Sequence, residues 1–138
     1  MYLFDTDIIS HIVKTRPRDS LIRRLEKIPK ELQFITAITI GEIYFGAWRV
    51  ERRDDILRGY EEKVFPRVNI LPYDADSGRI FGRIKSKLEK QGKSRGETDL
   101  QIAAIALQHK LTLVTGNVRH FLGIPGLKVE NWLEELRD

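Results

Sequence analysis

Short apolar runs alternate with longer helical patterns along this chain, and this alternation restricts the fold more than any other feature. The run at 111–114 is continuously apolar in character, as expected for a strand buried on both faces of a sheet. An alanine-rich helical pattern at 98–109 precedes it, and an amphipathic pattern at 74–91 comes before that. Strands alternating with helices indicate βα units. We therefore predict an α/β fold with a central parallel sheet of four or five strands.

The same patterns place the remaining elements. The predicted strands are 2–4, 33–36, 68–71, 111–114 and 127–129. The predicted helices are 8–14, 19–28, 39–48, 52–64, 74–91 and 98–109, followed by a helical turn at 119–122 and a closing segment at 132–136. The chain has 138 residues and no linker, repeat or low-complexity tract, so we predict a single domain over residues 1–138.

Composition removes several classes of protein. The absence of cysteine excludes a disulfide scaffold, a thiolate nucleophile and a cysteine-ligated zinc site. The sequence contains no run of about eighteen apolar residues, the length needed to cross a membrane. Its first apolar run is too short for a signal peptide. We expect a cytoplasmic protein. The net charge of +4 permits a polyanionic partner without indicating one.

Acidic or amide residues stand at four predicted junctions between strands and helices. Asp5 follows the first strand, Glu42 and Asp99 lie in predicted first helical turns, and Asn117 follows the strand at 111–114. In parallel sheets, functional residues collect where strands end and helices begin. Folded onto one sheet edge, these four side chains could converge.

Each of these residues also has a local structural explanation. Asp5 or Asp7 could cap the first helix, and Asn117 could be a turn residue. Thr39 and Glu42 match a capping box, whereas Thr98 could cap the helix that contains Asp99. Taken singly, the structural explanations are favoured for Glu42 and Asp99.

The four residues as a set favour a metal site, because helix caps need not face a single point. Carboxylates brought close together repel one another unless a cation lies among them. Mg²⁺ and Mn²⁺ prefer oxygen ligands and leave positions for water and a substrate phosphate. Such an arrangement can hydrolyse a phosphodiester with a metal-activated water, without a cysteine or a histidine cluster.

Five segments, in order along the chain, resemble the motifs of PIN-domain ribonucleases of the VapC toxin type. They are LFDTDII at 3–9, ITIGEIYFGA at 38–47, DLQIAA at 99–104, LVTGN at 113–117 with Phe121, and GIPGLKVENW at 123–132. The resemblance covers essentially the whole chain. It implies the three-layer α/β/α PIN fold.

The resemblance also implies roles for the matched residues. Asp5, Glu42 and Asp99 would bind the metal and, with Asn117, form the catalytic set. Asn117 departs from the family pattern, which usually has aspartate there. Thr6 and Thr115 would support the site through hydrogen bonds. Two further acids are weaker candidates: Asp7 is predicted to be a helix cap, and Glu97 a possible extra acid near the site.

Activity and partners follow from the same resemblance. It implies the toxin of a type II toxin–antitoxin system, an endoribonuclease that uses Mg²⁺ or, in its place, Mn²⁺. The expected substrate is RNA such as tRNA or rRNA, so that cleavage would inhibit translation. The expected partners are a VapB-like antitoxin and a second copy of the chain. Early helices would form the antitoxin groove, near Tyr44, Phe45 and Trp48, of which at least one should pack in the core.

Two alternative functions remain open, and the histidines do not suggest a further one. The neutral Asn117 would suit a catalytically weak PIN domain that serves as a binding subunit of a toxin–antitoxin repressor. A haloacid-dehalogenase-like phosphatase would use Asp5 as nucleophile and Asp7 as acid or base, but it leaves Glu42 and Asp99 without a role. The three histidines share no metal-ligand spacing and are predicted to be surface or helix-end residues: His11, His109 and His120.

Overall fold

Five parallel strands form one sheet in the computed structural model, which describes residues 1–14 and 16–133. The strands are β1 (Tyr2–Phe4), β2 (Gln33–Thr36), β3 (Asn69–Leu71), β4 (Thr112–Val114) and β5 (Val129–Glu130). Their order across the sheet is β3-β2-β1-β4-β5, and every pairing is parallel. The first strand is therefore central, and the chain crosses to the other side of it after β3.

Within residues 1–14 and 16–133, six α-helices connect or flank these strands. They are α1 (Thr6–Ile12), α2 (Asp19–Glu26), α3 (Ala37–Trp48), α4 (Arg53–Lys63), α5 (Ala75–Lys90) and α6 (Glu97–His109). Short 3₁₀ turns occupy Lys30–Leu32, Phe65–Arg67 and Val118–Phe121. None of the helices in the described ranges is long and apolar enough to cross a membrane.

Helices cover both faces of the sheet because successive strand residues point to opposite sides. Leu3 and Leu113 lie in a core with residues of α5 and α6, such as Leu88 and Ala103. Their neighbours Phe4 and Val114 lie in a second core with residues of α1, α2, α3 and α4. This arrangement confirms the predicted three-layer α/β/α fold and sets the strand number at five.

Several predicted helices and strands begin at the wrong residue. The first helix begins at Thr6 rather than residue 8 because Asp5 caps it, and α3 begins at Ala37 rather than residue 39 because Thr36 caps it. The last strand begins at Val129 because the chain is still turning at Gly126, which has a φ of 77°. The predicted closing segment at 132–136 falls mostly outside the described residues.

Candidate active site

The first and fourth strands end side by side at the centre of the sheet, so the residues that follow them become neighbours. Phe4 pairs with Val114, and the next residues are Asp5 and Thr115. The Asp5 backbone N–H donates to the Val114 carbonyl at 2.9 Å, and the Thr115 hydroxyl donates to Asp5 Oδ2 at 2.8 Å. Parallel pairing in the core thus places Asp5 beside the loop that leads to Asn117.

Asp5 is a buried carboxylate, with only 5% of its surface exposed. It is also the N-cap of α1, since its Oδ1 accepts from the Thr6 N–H at 2.8 Å. The pKa of Asp5 is raised to about 6 by burial first and then by the nearby charges of Asp7 and Asp99, while the bonds from Thr115 and Thr6 oppose the change. The fold therefore holds a carboxylate where its charge is unfavourable, which is common at functional sites.

Glu42 reaches the same place from α3. It lies in the second turn of that helix, not the first, because Thr36 is the N-cap and accepts from the Thr39 N–H at 3.0 Å. The predicted capping box of Thr39 and Glu42 is therefore wrong. Glu42 Oε1 instead accepts from the Thr6 hydroxyl at 2.7 Å, which ties α3 to the start of α1.

Asp99 lies in the first turn of α6, as predicted, but Thr98 does not cap that helix. Gly96 occupies the N-cap position and makes no side-chain bond. Burial raises the pKa of Asp99, His120 opposes that change, and Asp7 adds to it. Asp99 Oδ2 lies 3.3 Å from Nδ1 of His120, which belongs to the 3₁₀ turn after β4. An acid of α6 and a histidine of the 3₁₀ turn thus lie in contact.

Asn117 is exposed and stands at the N-cap position of the 3₁₀ turn, but its side chain makes no capping bond there. Its backbone N–H donates to Thr115 Oγ1 at 3.0 Å. The explanation of Asn117 as a turn residue therefore fits its position, but its side chain does not act as a cap and lines the space beside Asp5.

These residues line one open pocket of about 420 Å³ at the carboxyl edge of the sheet. The lining consists of Asp5, Thr6, Asp7, Ser10, Glu42, Thr98, Asp99, Asn117 and His120. All four residues of the predicted catalytic set are present, and Thr115 lies buried behind them. Glu97 is not among the lining residues: it pairs with Lys85 at 2.6 Å.

Two lining residues, Asp7 and His120, lie outside the site set predicted from the sequence. Asp7 is not the cap of α1, and its Oδ2 accepts from the Gly116 N–H at 2.7 Å. His120 is exposed, as expected for a surface residue, and it also lines the pocket beside Asp99. The signal for Asp7 was present in its spacing from Asp5, since both precede the same helix, but its contact with Gly116 depends on the pairing of β1 with β4.

The donor set of the pocket suits a hard divalent cation, because its lining acids offer carboxylate oxygens. Within the described residues, no three His, Cys, Asp or Glu side chains are already close enough to hold an ion together. Mg²⁺ commonly binds through one or two carboxylates and keeps several waters. The residues therefore fit such an ion by their chemistry rather than by a preformed cage.

Comparisons with known proteins identify chains that are similar to this one. The family model described as PIN domain matches residues 2–125. Ribonuclease VapC2 of Haemophilus influenzae is 36% identical over 132 residues, which cover 96% of this chain and 98% of that protein. The tRNA(fMet)-specific endonuclease VapC of Shigella flexneri is 29% identical over 134 residues, covering 95% and 97%. A chain in the crystal structure of VapBC2 from Rickettsia felis bound to a DNA fragment from their promoter superposes with a TM-score of 0.88, at 28% identity, covering 95% and 98%.

Proposed function

This chain belongs to the PIN-domain family, in its VapC group, and from that premise we propose that it is the endoribonuclease toxin of a type II toxin–antitoxin system. Membership of this family excludes the phosphatase alternative. Asp7, the acid or base of that alternative, accepts a bond from the Gly116 backbone instead. We further propose that cleavage depends on Mg²⁺ or Mn²⁺ and inhibits translation.

The observation that carries this proposal is the convergence of Asp5, Glu42 and Asp99 on one pocket from α1, α3 and α6. Neither Glu42 nor Asp99 caps its own helix, so capping does not account for their common orientation. Buried or half-buried carboxylates that face one another cost free energy unless a cation compensates them. A phosphodiesterase site gives that arrangement a function.

Asp5, Glu42 and Asp99 are the residues that would hold the cation. When bound, it supplies Lewis acidity to the phosphodiester and lowers the pKa of the attacking water. The protein's own hydroxyls orient the carboxylates: Thr115 donates to Asp5 at 2.8 Å, and Thr6 donates to Glu42 at 2.7 Å. With a pKa of about 6, Asp5 is ionised at neutral pH.

For the substrate we propose tRNA, with rRNA as the other candidate. The Shigella relative is named as specific for tRNA(fMet), and the net charge of +4 suits a polyanion. The Asn117 amide, exposed at the rim, can donate a hydrogen bond to a phosphate oxygen. Sequence-specific recognition of RNA is expected to require single-stranded bases near this rim.

For the partner we propose a VapB-like antitoxin, supported by the similarity to the VapBC2 structure. Two large apolar side chains on α3, Phe45 and Trp48, are 66% and 63% exposed, whereas Tyr44 packs against the core. The guanidinium groups of Arg49 and Arg53 lie over the rings of Phe45 and Trp48. We propose that the antitoxin covers this surface and that the toxin forms a homodimer.

The test is cleavage of a labelled mixture of tRNA and rRNA by purified protein without antitoxin, with Mg²⁺, with Mn²⁺ and with EDTA. Wild type and Asp55→Asn should give the same discrete fragments with either cation and none with EDTA, because Asp55 is an exposed residue paired with Arg58. Asp5→Asn should give none. Equal cleavage by Asp5→Asn would contradict the site, and no cleavage by folded wild type would favour the binding-subunit alternative.

A further inference from the structure

The fourth position that the resemblance to VapC toxins assigns to the site is neutral in this chain, because Asn117 stands where that resemblance implies aspartate. A carboxylate nevertheless lies beside that position. Asp7 lines the same pocket, and its Oδ2 accepts from the N–H of Gly116, the residue immediately before Asn117. The loop that lacks an acid of its own therefore has one attached to it from α1.

A single hydroxyl links this carboxylate to Asp5. Thr115 Oγ1 donates to Asp5 Oδ2 at 2.8 Å and lies 3.4 Å from Asp7 Oδ1. Asp5 and Asp7 thus sit on either side of the same side chain. The backbone permits this approach because residue 116 is glycine: a Cβ atom there would lie 2.7 Å from Asp7 Oδ2.

The charge of Asp7 acts on the other pocket acids. Its repulsion contributes to raising the pKa of Asp5 and of Asp99. Among the residues that the structure describes, no lysine or arginine forms an ion pair with Asp7. Within the described residues, Asp7 therefore brings its charge to the pocket without an ion pair to a lysine or arginine, although the charge also acts on His11 of the same helix.

We infer that Asp7 supplies the fourth negative charge of the pocket, toward the divalent cation, in place of the charge that Asn117 lacks. This inference rests on the proposed function, since it assigns a residue to the cation of that same site. It differs from the sequence-based prediction, in which Asp7 was a helix cap.

A purely structural role for Asp7 makes a different prediction. If Asp7 only anchors the Gly116 loop, asparagine should replace it fully, because its carbonyl oxygen can still accept from the Gly116 N–H. If its charge matters, asparagine should fail, and a new carboxylate at position 117 should compensate. Moving the charge between the two positions therefore separates the two roles.

The experiment is isothermal titration of Mn²⁺ into the full-length, antitoxin-free protein, which requires no RNA and no cleavage. The variants are Asp7→Asn, Asn117→Asp and the double variant, with Asp55→Asn as the matched control. Asp7→Asn should weaken Mn²⁺ binding roughly tenfold, as expected for one charge near a partly solvated ion. The double variant should bind within about threefold of wild type, since the number of carboxylates is restored.

Three outcomes would overturn the inference. Unchanged binding by Asp7→Asn would mean that its charge does not reach the cation. Weak binding that Asn117→Asp fails to restore would leave Asp7 as a loop anchor. A wild type that binds no Mn²⁺ would contradict the metal dependence of the proposed function itself, a failure distinct from the other two.

Discussion

The pocket at the carboxyl edge of the sheet and the cluster beside the edge strand β5 both contain charged side chains, but only the second balances them. In that cluster, Arg24 lies 3.4 Å from Glu130 and 4.1 Å over the ring of Trp132. The Trp132 N–H donates to Glu130 at 2.9 Å. We call Arg24, Glu130 and Trp132 the β5 clamp.

The pocket shows the opposite arrangement. Four carboxylates line it, and within the described ranges their one ion-pair contact is between Asp99 and His120, at 3.3 Å. Burial raises the pKa of Asp5 by more than either of its bonds from Thr115 and Thr6 lowers it. The comparison teaches that the charges of the clamp are compensated within the fold, whereas those of the pocket are left for the proposed cation to compensate.

The largest effect is expected on the rate of RNA cleavage, for a variant of the pocket. Asp99→Asn should lower the rate of RNA cleavage on the order of a thousandfold, because it removes a carboxylate of the proposed cation site. Far-UV circular dichroism should remain that of wild type. The measurement is the single-turnover cleavage rate, beside the exposed control Asp76→Asn. A rate within tenfold of wild type would break the assignment of Asp99 to the site.

The next largest effect is expected on the free energy of unfolding, for a variant of the β5 clamp. Trp132 is 1% exposed and meets the rings of Tyr2 and Phe4 edge-on, at 5.0 and 5.4 Å. Trp132→Ala should lower the free energy of unfolding by about 4 kcal/mol through lost burial and the cavity left behind. Urea denaturation measures this. A loss below about 1 kcal/mol would show that the clamp does not secure β1.

Asp5→Asn should instead raise the free energy of unfolding, because it removes an unfavourable charge. The folded pKa of Asp5, about 6, lies above its ordinary value of 3.8, so its ionisation destabilises the fold as pH rises from about 4 through 6. Without metal, the variant should be more stable than wild type above about pH 7, on the order of 2 kcal/mol, and should match it below about pH 4. Chemical denaturation across this pH range measures the difference. A variant that is less stable than wild type at pH 7 would contradict the account.

The smallest effect is expected at the ion pair of the clamp. Glu130 and Arg24 are each more than a third exposed at their side chains, at 42% and 34%. Glu130→Gln keeps an acceptor for the Trp132 N–H and should cost less than about 1 kcal/mol of stability. Thermal unfolding detects this, and cleavage should not change. A loss comparable to that of Trp132→Ala would mean that charge rather than packing holds the clamp.

The sequence was sufficient for the fold class and for four of the residues that meet at the pocket. Apolar periodicity predicted the strands 2–4 and 33–36 to the residue, and the junction rule brought Asp5, Glu42, Asp99 and Asn117 together. It was not sufficient for the capping partners. Whether Thr36 or Thr39 caps α3 depends on where β2 stops, which the local sequence does not determine.

Asp7 was misassigned for a related reason. Locally, Asp5 and Asp7 are equivalent candidates for the cap of α1. The choice is made by β4, whose pairing with β1 brings Thr115 and Gly116 next to both acids. A contact between residues more than a hundred positions apart, such as Asp7 and Gly116, is a product of topology, and one sequence without its pairing carries no direct sign of it.

The central claim, that the pocket acids are held in mutual repulsion for a cation, is tested most directly by one thermal unfolding experiment. Wild type and Asp5→Asn are unfolded at pH 7.5 in EDTA and then in increasing Mn²⁺. The account predicts that the variant starts with the higher midpoint and responds little, whereas Mn²⁺ raises the midpoint of wild type by at least a few degrees. Equal midpoints in EDTA together with equal responses to Mn²⁺ would contradict it.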